Sequence, residues 1–202
     1  MILPGMILAG GLSRRMGAEK ALMPLAGRPL LAHVIARAEP QLSHLALNAN
    51  GDPARFARFG LPVRADSLAG HPGPLAGVLA AMDWAAELGA ERVFSLPVDT
   101  PLLPGDLVPR LLLASEAGEG PVLAASADAT GALRAHPTCA LWPVALRQDL
   151  RAAVLGGQRR MMDWAMAQGA RLEAFPAPGA DPFLNVNDPQ DLDAVEHLFR
   201  AG

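Results

Sequence analysis

Residues Met6 to Lys20 read MILAGGLSRRMGAEK, an apolar run that ends in two glycines and is followed by basic side chains. The run Met6–Ala9 has the length and composition of a buried β-strand, and Gly10-Gly11 ends it. Because neither glycine has a Cβ, backbone N–H groups there can approach an anion closely. Arg14-Arg15 and Lys20 supply positive charge. The stretch therefore predicts a strand that leads into a basic loop for a polyphosphate.

Two better-known phosphate loops are excluded by their spacing. A Walker A loop needs G-x-x-x-x-G-K-[ST], but Gly11 and Gly17 are one residue too far apart, and Lys20 lies three residues after Gly17. The dinucleotide fingerprint G-x-G-x-x-G is also absent. A basic surface turn remains the alternative to a phosphate loop, because Gly-Gly followed by charged residues is common between a strand and a helix.

Length and composition favour one domain spanning residues 1–202. Hydrophobic residues make up 51% of the chain and charged residues 18%, which is typical of a folded protein and not of a disordered one. The net charge of -3 argues against a nucleic-acid partner, and no apolar stretch reaches the roughly 20 residues that a membrane span needs. Cys139 is the only cysteine, which excludes an intrachain disulfide or a cysteine-based metal site and predicts a cytoplasmic protein.

Apolar patterns along the chain alternate between strands and helices. Strands are predicted at Leu45–Leu47, Val93–Val98, Val122–Ala125 and Thr138–Trp142, and helices at Pro29–Arg37, from Pro74 to a stop at Gly89, and at Gly105–Glu116, Pro143–Leu155 and Arg160–Gln168. A loop or hairpin is expected within Gly118–Leu133. The alternation predicts right-handed crossovers and a three-layer α/β/α, Rossmann-like fold with a mainly parallel sheet and some antiparallel pairing in the C-terminal third.

A last helix is predicted after the sequence Asn185-Val186-Asn187. Asp188 is suited to the N-cap and Pro189 to the first helical position. Helical spacing predicts an inward face made of Leu192, Val195, Leu198 and Phe199.

Polar residues fall where several predicted strands end, and in open α/β sheets ligands bind at that edge. Asn48, Asp66 and Asp99 all lie at or near such ends. Asp99 is the strongest candidate, because a carboxylate leaving a buried strand is desolvated and Mg²⁺ on a nucleoside triphosphate is an apt partner. Each residue also has a local alternative: Asp99-Thr100-Pro101 is a good turn sequence, and Asn48 and Asp66 can end a strand and begin a turn without a ligand.

These motifs, in this order, resemble the molybdenum cofactor guanylyltransferase family of nucleotidyltransferases. The resemblance rests on Leu8–Gly17 with Lys20, on Asp99, on the segment GPLAG at Gly73–Gly77, and on N-V-N at Asn185–Asn187. Weaker likenesses are found at His136-Pro137-Thr138 and at Gly157–Arg160. The family usually has Asp before the lysine, where this chain has Glu19, so a carboxylate is retained.

The resemblance implies a nucleotidyltransferase fold and transfer of GMP from GTP to the terminal phosphate of molybdopterin, with Mg²⁺ as cofactor and pyrophosphate as the second product. It also implies contact with other molybdenum cofactor biosynthesis proteins. The resemblance implies catalytic roles for Lys20, Arg15 and Asp99, with Asp99 as the metal ligand. It implies that the nucleotide is bound by Leu8, Ala9, Gly10, Gly11, Lys20, Asn48, Asp66 and Asp99. It implies that the acceptor is bound by Asn185, Asn187 and Arg159.

Several alternatives stay open at this point. Asn187 lies beside a helix N-cap, and paired arginines such as Arg159-Arg160 are often only solvated. His136 has the chemistry of a base, but nucleotidyl transfer from an ionised phosphate needs none. Within enzymes, the alternatives are a cytidylyltransferase for the same pterin or a sugar-phosphate nucleotidyltransferase. Outside enzymes, the alternative is a nucleotide-binding regulatory module.

Overall fold

A seven-stranded sheet with helices on both faces forms the framework of the computed structural model, which describes residues 2–10, 20–70, 73–127, 130–177 and 180–201. The strands are Pro4–Leu8 (β1), Pro24–Leu25 (β2), Arg28–Pro29 (β3), His44–Asn48 (β4), Val63–Arg64 (β5), Arg92–Pro97 (β6), Val122–Ala127 (β7), Leu133–Pro143 (β8) and Arg171–Phe175 (β9). The α-helices are Leu30–Ala38 (α1), Pro74–Glu87 (α2), Leu107–Ser115 (α3), Arg147–Leu155 (α4), Met161–Ala167 (α5) and Pro189–Ala201 (α6). Short 3₁₀ helices cover Lys20–Leu22, Glu39–Gln41, Pro53–Phe59 and Val144–Leu146. None of the helices in the described ranges has the length and apolar character needed to cross a membrane.

The strand order is β5-β4-β1-β6-β8-β7-β9, with β2 and β3 forming a separate small hairpin. Strand β1 lies between β4 and β6 and runs parallel to both, so that Leu8 pairs with Asn48 on one side and Pro97 on the other. Strand β8 is antiparallel to β6 and β7, whereas β9 returns parallel to β7. The predicted α/β sheet, mainly parallel with antiparallel pairing toward the C-terminus, is therefore confirmed.

Side-chain alternation along the central strands supplies two cores. Ile7 belongs to the core under α1 and α3, while its neighbour Met6 belongs to the core under α2, α4 and α5. Both side chains are fully buried. A third, smaller cluster joins Leu25 and Leu30 to Val195 of α6. The sheet is thus covered on both faces, and only its edges and its two ends remain open for a site.

Strand β8 is longer than predicted, because a bulge lies inside it. Leu123 of β7 pairs with Ala140, but the next residue, Ala124, pairs with His136, so Pro137–Cys139 have no partner in β7. Proline has no N–H for a ladder hydrogen bond and is tolerated in strands at bulges. The predicted strand covers only Thr138–Trp142, whereas β8 extends on both sides of Pro137.

Three further differences concern the ends and edges of the molecule. Strand β9 was not predicted; it is a short edge strand in which polar Arg171 and Glu173 alternate with apolar residues. Helix α3 begins at Leu107, two residues after the predicted start. The inward assignment of Leu198 is wrong, since this side chain is 38% exposed, whereas Val195 on the same helix is fully buried.

Candidate functional site

Lys20 lies between Asp99 and Asn187 at the carboxyl ends of the parallel strands. Its ammonium nitrogen donates a hydrogen bond to Oδ2 of Asp99 at 2.7 Å and another to Oδ1 of Asn187 at 2.8 Å. The Lys20 and Asp99 side chains are only 13% and 21% exposed, so water screens their charges weakly. Three residues that are distant in sequence therefore form one charged cluster beyond the end of β6.

A backbone contact holds the segment Asn185–Asn187 against the exit of β6. The N–H of Val186 donates to the carbonyl of Asp99 at 2.8 Å, and the Thr100 hydroxyl donates to Oδ1 of Asn185 at 2.7 Å. The Val186 side chain is fully buried. The two asparagines are thereby fixed on either side of a buried anchor, next to Asp99.

A second cluster joins Asn48 and Asp66, which were both predicted to contact the nucleotide. Nδ2 of Asn48 donates to Oδ1 of Asp66 at 3.0 Å, and Nδ2 of Asn50 donates to Oδ2 of Asp66 at 2.7 Å. The N–H of Asp66 in turn donates to Oδ1 of Asn50 at 2.9 Å. Two amides thus fix the carboxylate by one hydrogen bond to each oxygen, which leaves further lone pairs of both oxygens for a ligand. Asn50 was not among the predicted site residues.

Two glycines lie against Asn48 and leave room for its side chain. A Cβ on Gly77, in the second turn of α2, would lie 2.6 Å from Oδ1 of Asn48, and a Cβ on Gly10 would lie 3.3 Å from the same atom. Gly77 belongs to the GPLAG segment on which the resemblance partly rests. A side chain at Gly77 would displace Asn48, which is 2% exposed and already bonded to Asp66.

Strand β1 connects the two clusters. The N–H of Ala9 donates to the carbonyl of Asn48 at 2.9 Å, and the N–H of Val98 donates to the carbonyl of Leu8 at 3.3 Å. Asn48 therefore ends β4, and Asp99 lies just after β6, so the two residues belong to the strands that flank β1. Two strand spacings of about 4.8 Å separate the ends of β4 and β6 by about 10 Å, a distance that suits the base and the phosphates of one nucleotide.

The remaining predicted residues divide into two groups. Gly11 and Arg15, with Arg14, lie outside the described residues, so their roles stay predictions. Arg159 is described: its guanidinium donates to the carbonyls of Val154 at 3.2 Å and Gln158 at 3.0 Å, around the end of α4. Within the described ranges it makes no hydrogen bond or ion pair with Asn185 or Asn187, and its acceptor role also stays a prediction.

The oxygen atoms around Lys20 fit a hard divalent cation. Oδ2 of Asp99 and Oδ1 of Asn187 already converge on one positive charge, and carboxylate and amide oxygens are suitable ligands for Mg²⁺. Nowhere in the described ranges, this cluster included, is a group of three or more His, Cys, Asp or Glu side chains placed to hold a metal. Mg²⁺ in nucleotide sites commonly takes one or two carboxylates plus substrate phosphates, so a single carboxylate is compatible with such a site, and the metal-ligand role of Asp99 stays a prediction.

Ser126, His136 and Asp181 also meet, although the sequence showed no Ser-His-Asp arrangement. The Ser126 hydroxyl donates to Oδ2 of Asp181 at 3.1 Å and lies 2.8 Å from Nε2 of His136. Since the hydroxyl proton goes to the carboxylate, Nε2–H of His136 is the donor to Ser126. A nucleophilic serine requires the reverse arrangement, in which histidine accepts the serine proton. The trio therefore ties β7 and β8 to the Asp181 segment and does not form a hydrolytic triad.

Residue usage gives a signal for this site that the sequence analysis did not use. Lys20 is the only lysine among the 17 lysine and arginine residues of the chain. The chain has four asparagines: Asn48 and Asn50 lie in the Asp66 cluster, Asn187 lies in the Lys20 cluster, and Asn185 is bonded to Thr100 beside it. The scarcity of Asn would have pointed to Asn50 as well as to its neighbour Asn48.

Comparisons with known proteins identify the relatives of this chain. The MobA-like NTP transferase domain model matches residues 5–172. A molybdenum cofactor guanylyltransferase from Cereibacter sphaeroides is 52% identical over 202 residues, covering 99% of this chain and 98% of that protein. A molybdenum cofactor guanylyltransferase from Rhodopseudomonas palustris strain BisB5 is 49% identical over 199 residues, covering 96% of this chain and 93% of that protein.

A solved structure shares the fold at low identity. The molybdopterin-guanine dinucleotide biosynthesis protein A from Archaeoglobus fulgidus superposes with a TM-score of 0.76 at 20% identity, over 98% of this chain and 100% of that one. The family model covers strands β1 to β8 apart from Pro4, together with Lys20, the Asp66 cluster and Asp99, and it ends inside β9, before Asn187. This chain therefore belongs to the MobA-like NTP transferase domain family.

Proposed function

We propose that this protein transfers GMP from GTP to the terminal phosphate of molybdopterin and releases pyrophosphate. The observation that carries the proposal is the cluster in which Lys20 joins Asp99 and Asn187, since it combines a phosphate-binding cation with oxygen ligands for a metal. Relatives that are about half identical over nearly the whole chain are named molybdenum cofactor guanylyltransferase, which supports the choice of donor and acceptor.

The Asp66 cluster would bind the base. Guanine presents two parallel donors, N1–H and the 2-amino group, and a carboxylate with both oxygens available accepts such a pair. Asn48 and Asn50 orient the Asp66 carboxylate from the opposite side. Leu8, Ala9 and Gly10 run between the clusters, where their backbone would lie along the nucleotide.

The phosphates would lie at Lys20. An acceptor phosphate oxygen attacks the α-phosphorus in line, a new P–O bond forms, and the bond from the α-phosphorus to the bridging oxygen of the β-phosphate breaks. That oxygen leaves with pyrophosphate, and the Lys20 ammonium offsets its negative charge. No protein group becomes covalently attached. The proposed Mg²⁺, held by Asp99 with Asn187 beside it, would neutralise phosphate charge when bound.

Orientation of the acceptor relative to the nucleotide would supply the rest of the rate enhancement. Asn185 and Asn187 are fixed by Thr100 and by the backbone of Val186, so an acceptor bound to them is held at a constant position relative to Asp99. A single domain over residues 1–202 and a cytoplasmic location complete the proposal, together with contacts to other molybdenum cofactor biosynthesis proteins.

The test is incubation of the purified protein with Mg²⁺, molybdopterin and one of GTP, CTP or UTP, followed by mass identification of the product. We expect a guanine dinucleotide of molybdopterin from GTP and no dinucleotide from CTP or UTP. A cytosine product would identify a cytidylyltransferase instead. Binding of GTP without any product, under conditions where a characterised relative is active, would favour the regulatory module and refute the proposal.

A further inference from the structure

A pocket of about 110 Å³ lies beside Asp99, on the side of β6 that faces away from the Asp66 cluster. Pro97 and Thr100, which flank Asp99 in sequence, form one wall, and the bulge of β8 at Pro137–Cys139 forms another. Phe183 and Asn185 close the remaining side. Because β1 and β4 carry the proposed nucleotide on one side of Asp99, this pocket occupies the opposite side.

The core holds the bulge that shapes the pocket. The indole Nε1–H of Trp142 donates to Oγ of Ser95 at 2.8 Å, and the Ser95 hydroxyl donates to the carbonyl of Thr138 at 2.9 Å. Trp142 and Ser95 are both fully buried. A bulge is commonly used to re-aim side chains next to an active site. The pocket wall is therefore preformed.

The second wall is held by aromatic and polar contacts. The rings of His136 and Phe183 stack with centroids 4.6 Å apart, while Ser126 links His136 to Asp181. Burial lowers the pKa of His136, and the positive charge of Arg134 lowers it further. The Asp181 carboxylate raises this pKa, but by less than burial lowers it. The ring is thus neutral near pH 7 and adds no charge to the pocket.

The polar groups that face the pocket are mainly donors. Arg134 lines it and is exposed, and its guanidinium makes no hydrogen bond or ion pair within the described ranges. Asn185 accepts the Thr100 hydroxyl at its Oδ1, which leaves its NH₂ group as a donor. Among the described residues, no carboxylate lines the pocket. A free guanidinium with additional N–H donors is suited to an anion that has several acceptor oxygens, and a phosphate monoester is such a group.

Building on the proposed function, we propose that this pocket binds the phosphate monoester of the acceptor, with Arg134 as its counter-ion and Asn185 as a second donor. The location agrees with in-line chemistry, because the acceptor would approach from the side of Asp99 opposite the nucleotide. Arg134 thus takes the role that the family resemblance suggested for Arg159, whose guanidinium is bonded to carbonyls around the end of α4.

The experiment compares wild type with Arg134→Ala and Arg134→Lys in steady-state assays that vary molybdopterin at saturating Mg²⁺ and GTP. Loss of a charge-assisted contact predicts a rise of roughly 10- to 100-fold in the KM for molybdopterin in Arg134→Ala. Arg134→Lys retains the charge but not the planar fork, so its KM should lie between the two. The Kd for GTP, measured by calorimetry without acceptor, should not change, because the pocket lies outside the proposed nucleotide site.

Arg37→Ala is the matched control. Arg37 is an exposed arginine in the last turn of α1, which leads to the amino end of β4 and therefore to the opposite end of the sheet. Its removal changes the net charge equally and should leave the KM unchanged. The pocket assignment would be overturned if Arg134→Ala left the KM for molybdopterin unchanged, or if only Arg159→Ala raised it. Either result would leave the proposed function intact. Absence of transfer by the wild type would instead refute the proposed function, and the pocket assignment with it.

Discussion

The ammonium nitrogen of Lys20 and Oδ2 of Asp99 are 2.7 Å apart, although 79 residues separate them in sequence. Each charge neutralises the other in a partly buried position. When a metal-bound triphosphate enters, Asp99 would exchange the ammonium for the metal, and Lys20 would exchange the carboxylate for phosphate oxygens. The ion pair therefore keeps both groups in place and reduces the cost of their burial before the substrate arrives.

Replacement of Asp99 should abolish catalysis without unfolding the protein. We expect Asp99→Ala to release pyrophosphate at least about 100-fold more slowly than wild type, since an electrostatic contribution to the transition state is lost. Thermal unfolding should show a folded protein. Asp193→Ala, which removes an exposed carboxylate on α6, is the charge-matched control. Wild-type turnover of Asp99→Ala at saturating Mg²⁺ would exclude a metal role for Asp99.

Replacement of Lys20 should weaken GTP binding and turnover together. Lys20→Ala removes the cation that contacts both Asp99 and Asn187, and we expect a loss of roughly 10- to 100-fold in kcat/KM for GTP. Calorimetry measures the Kd for GTP, and the rate of pyrophosphate release measures turnover. Equal GTP affinity and equal rate in the variant would contradict the assignment.

The single lysine permits a second measurement on the wild-type chain. Reductive methylation can modify only one side-chain amine, that of Lys20. Mg²⁺ with GTP should slow this modification, as followed by mass spectrometry of the peptide that contains Lys20. The same reaction with ATP in place of GTP is the control for nonspecific protection by a triphosphate.

Asn50→Ala should reduce discrimination between GTP and ITP, which lacks the 2-amino group. Without the Asn50 amide, one oxygen of Asp66 loses its fixed donor, and the carboxylate can rotate away from a guanine edge. We expect the ratio of the two Kd values to fall roughly 3- to 10-fold, corresponding to the ~1 kcal/mol of one hydrogen bond. Asp52→Ala is the control, because Asp52 caps the neighbouring 3₁₀ helix through Ala54 without touching Asp66. Equal ratios in wild type and Asn50→Ala would show that Asn50 does not orient the carboxylate.

Gly77→Ala should destabilise the protein, although alanine usually stabilises a helix relative to glycine. The new Cβ would lie 2.6 Å from Oδ1 of Asn48 and 3.0 Å from Cδ2 of Leu8. We expect a loss of about 1–3 kcal/mol in the free energy of unfolding and weaker GTP binding. At Gly105, where a Cβ would meet no atom within 4 Å, alanine should change stability by no more than about 0.5 kcal/mol. Equal urea midpoints for the two variants would show that the Asn48 side chain moves aside without a loss of stability.

His136 should make the protein less stable in mild acid. Burial lowers the pKa of His136 below its unfolded value of about 6.5, so the unfolded chain binds the proton more readily. Stability is therefore lost as the pH falls below about 6.5 and continues to fall until the folded pKa is passed. Urea unfolding at about pH 7.5 and about pH 5 should show a smaller difference in stability for His136→Gln than for wild type. A wild-type difference in His136→Gln would assign the acid sensitivity to other groups.

Sequence patterns predicted the strands and helices whose residues follow a regular apolar spacing within a short window. The apolar runs of β1 and β6 and the helical spacing of α2, followed by Gly89 with a φ of +72°, are visible within short windows. Strand β8 was only partly predicted, because Pro137 is a strand breaker unless a partner strand accommodates a bulge, and this accommodation depends on tertiary structure.

The candidate site required more than local pattern. Nothing in the spacing of Lys20 and Asn187, which are 167 residues apart, shows that they meet. The family resemblance assigned Lys20 to the nucleotide and Asn187 to the acceptor, and it predicted no contact between them. Asn50 was missed because an Asn before Gly51 is also a common turn residue, and its contact with Asp66 crosses 16 residues. The exposure of Leu198 was missed because helical periodicity cannot tell where the neighbouring surface ends.

The hydrogen bond from Val186 to Asp99 has a consequence during protein synthesis. The sheet, from β1 to β9, is complete in the first 175 residues, and domains begin to fold while translation continues. Asn187 and the segment that supports it are translated later. A nascent chain can thus build its framework and the Asp66 cluster before Asn187 has been translated, and the cluster around Lys20 is completed last.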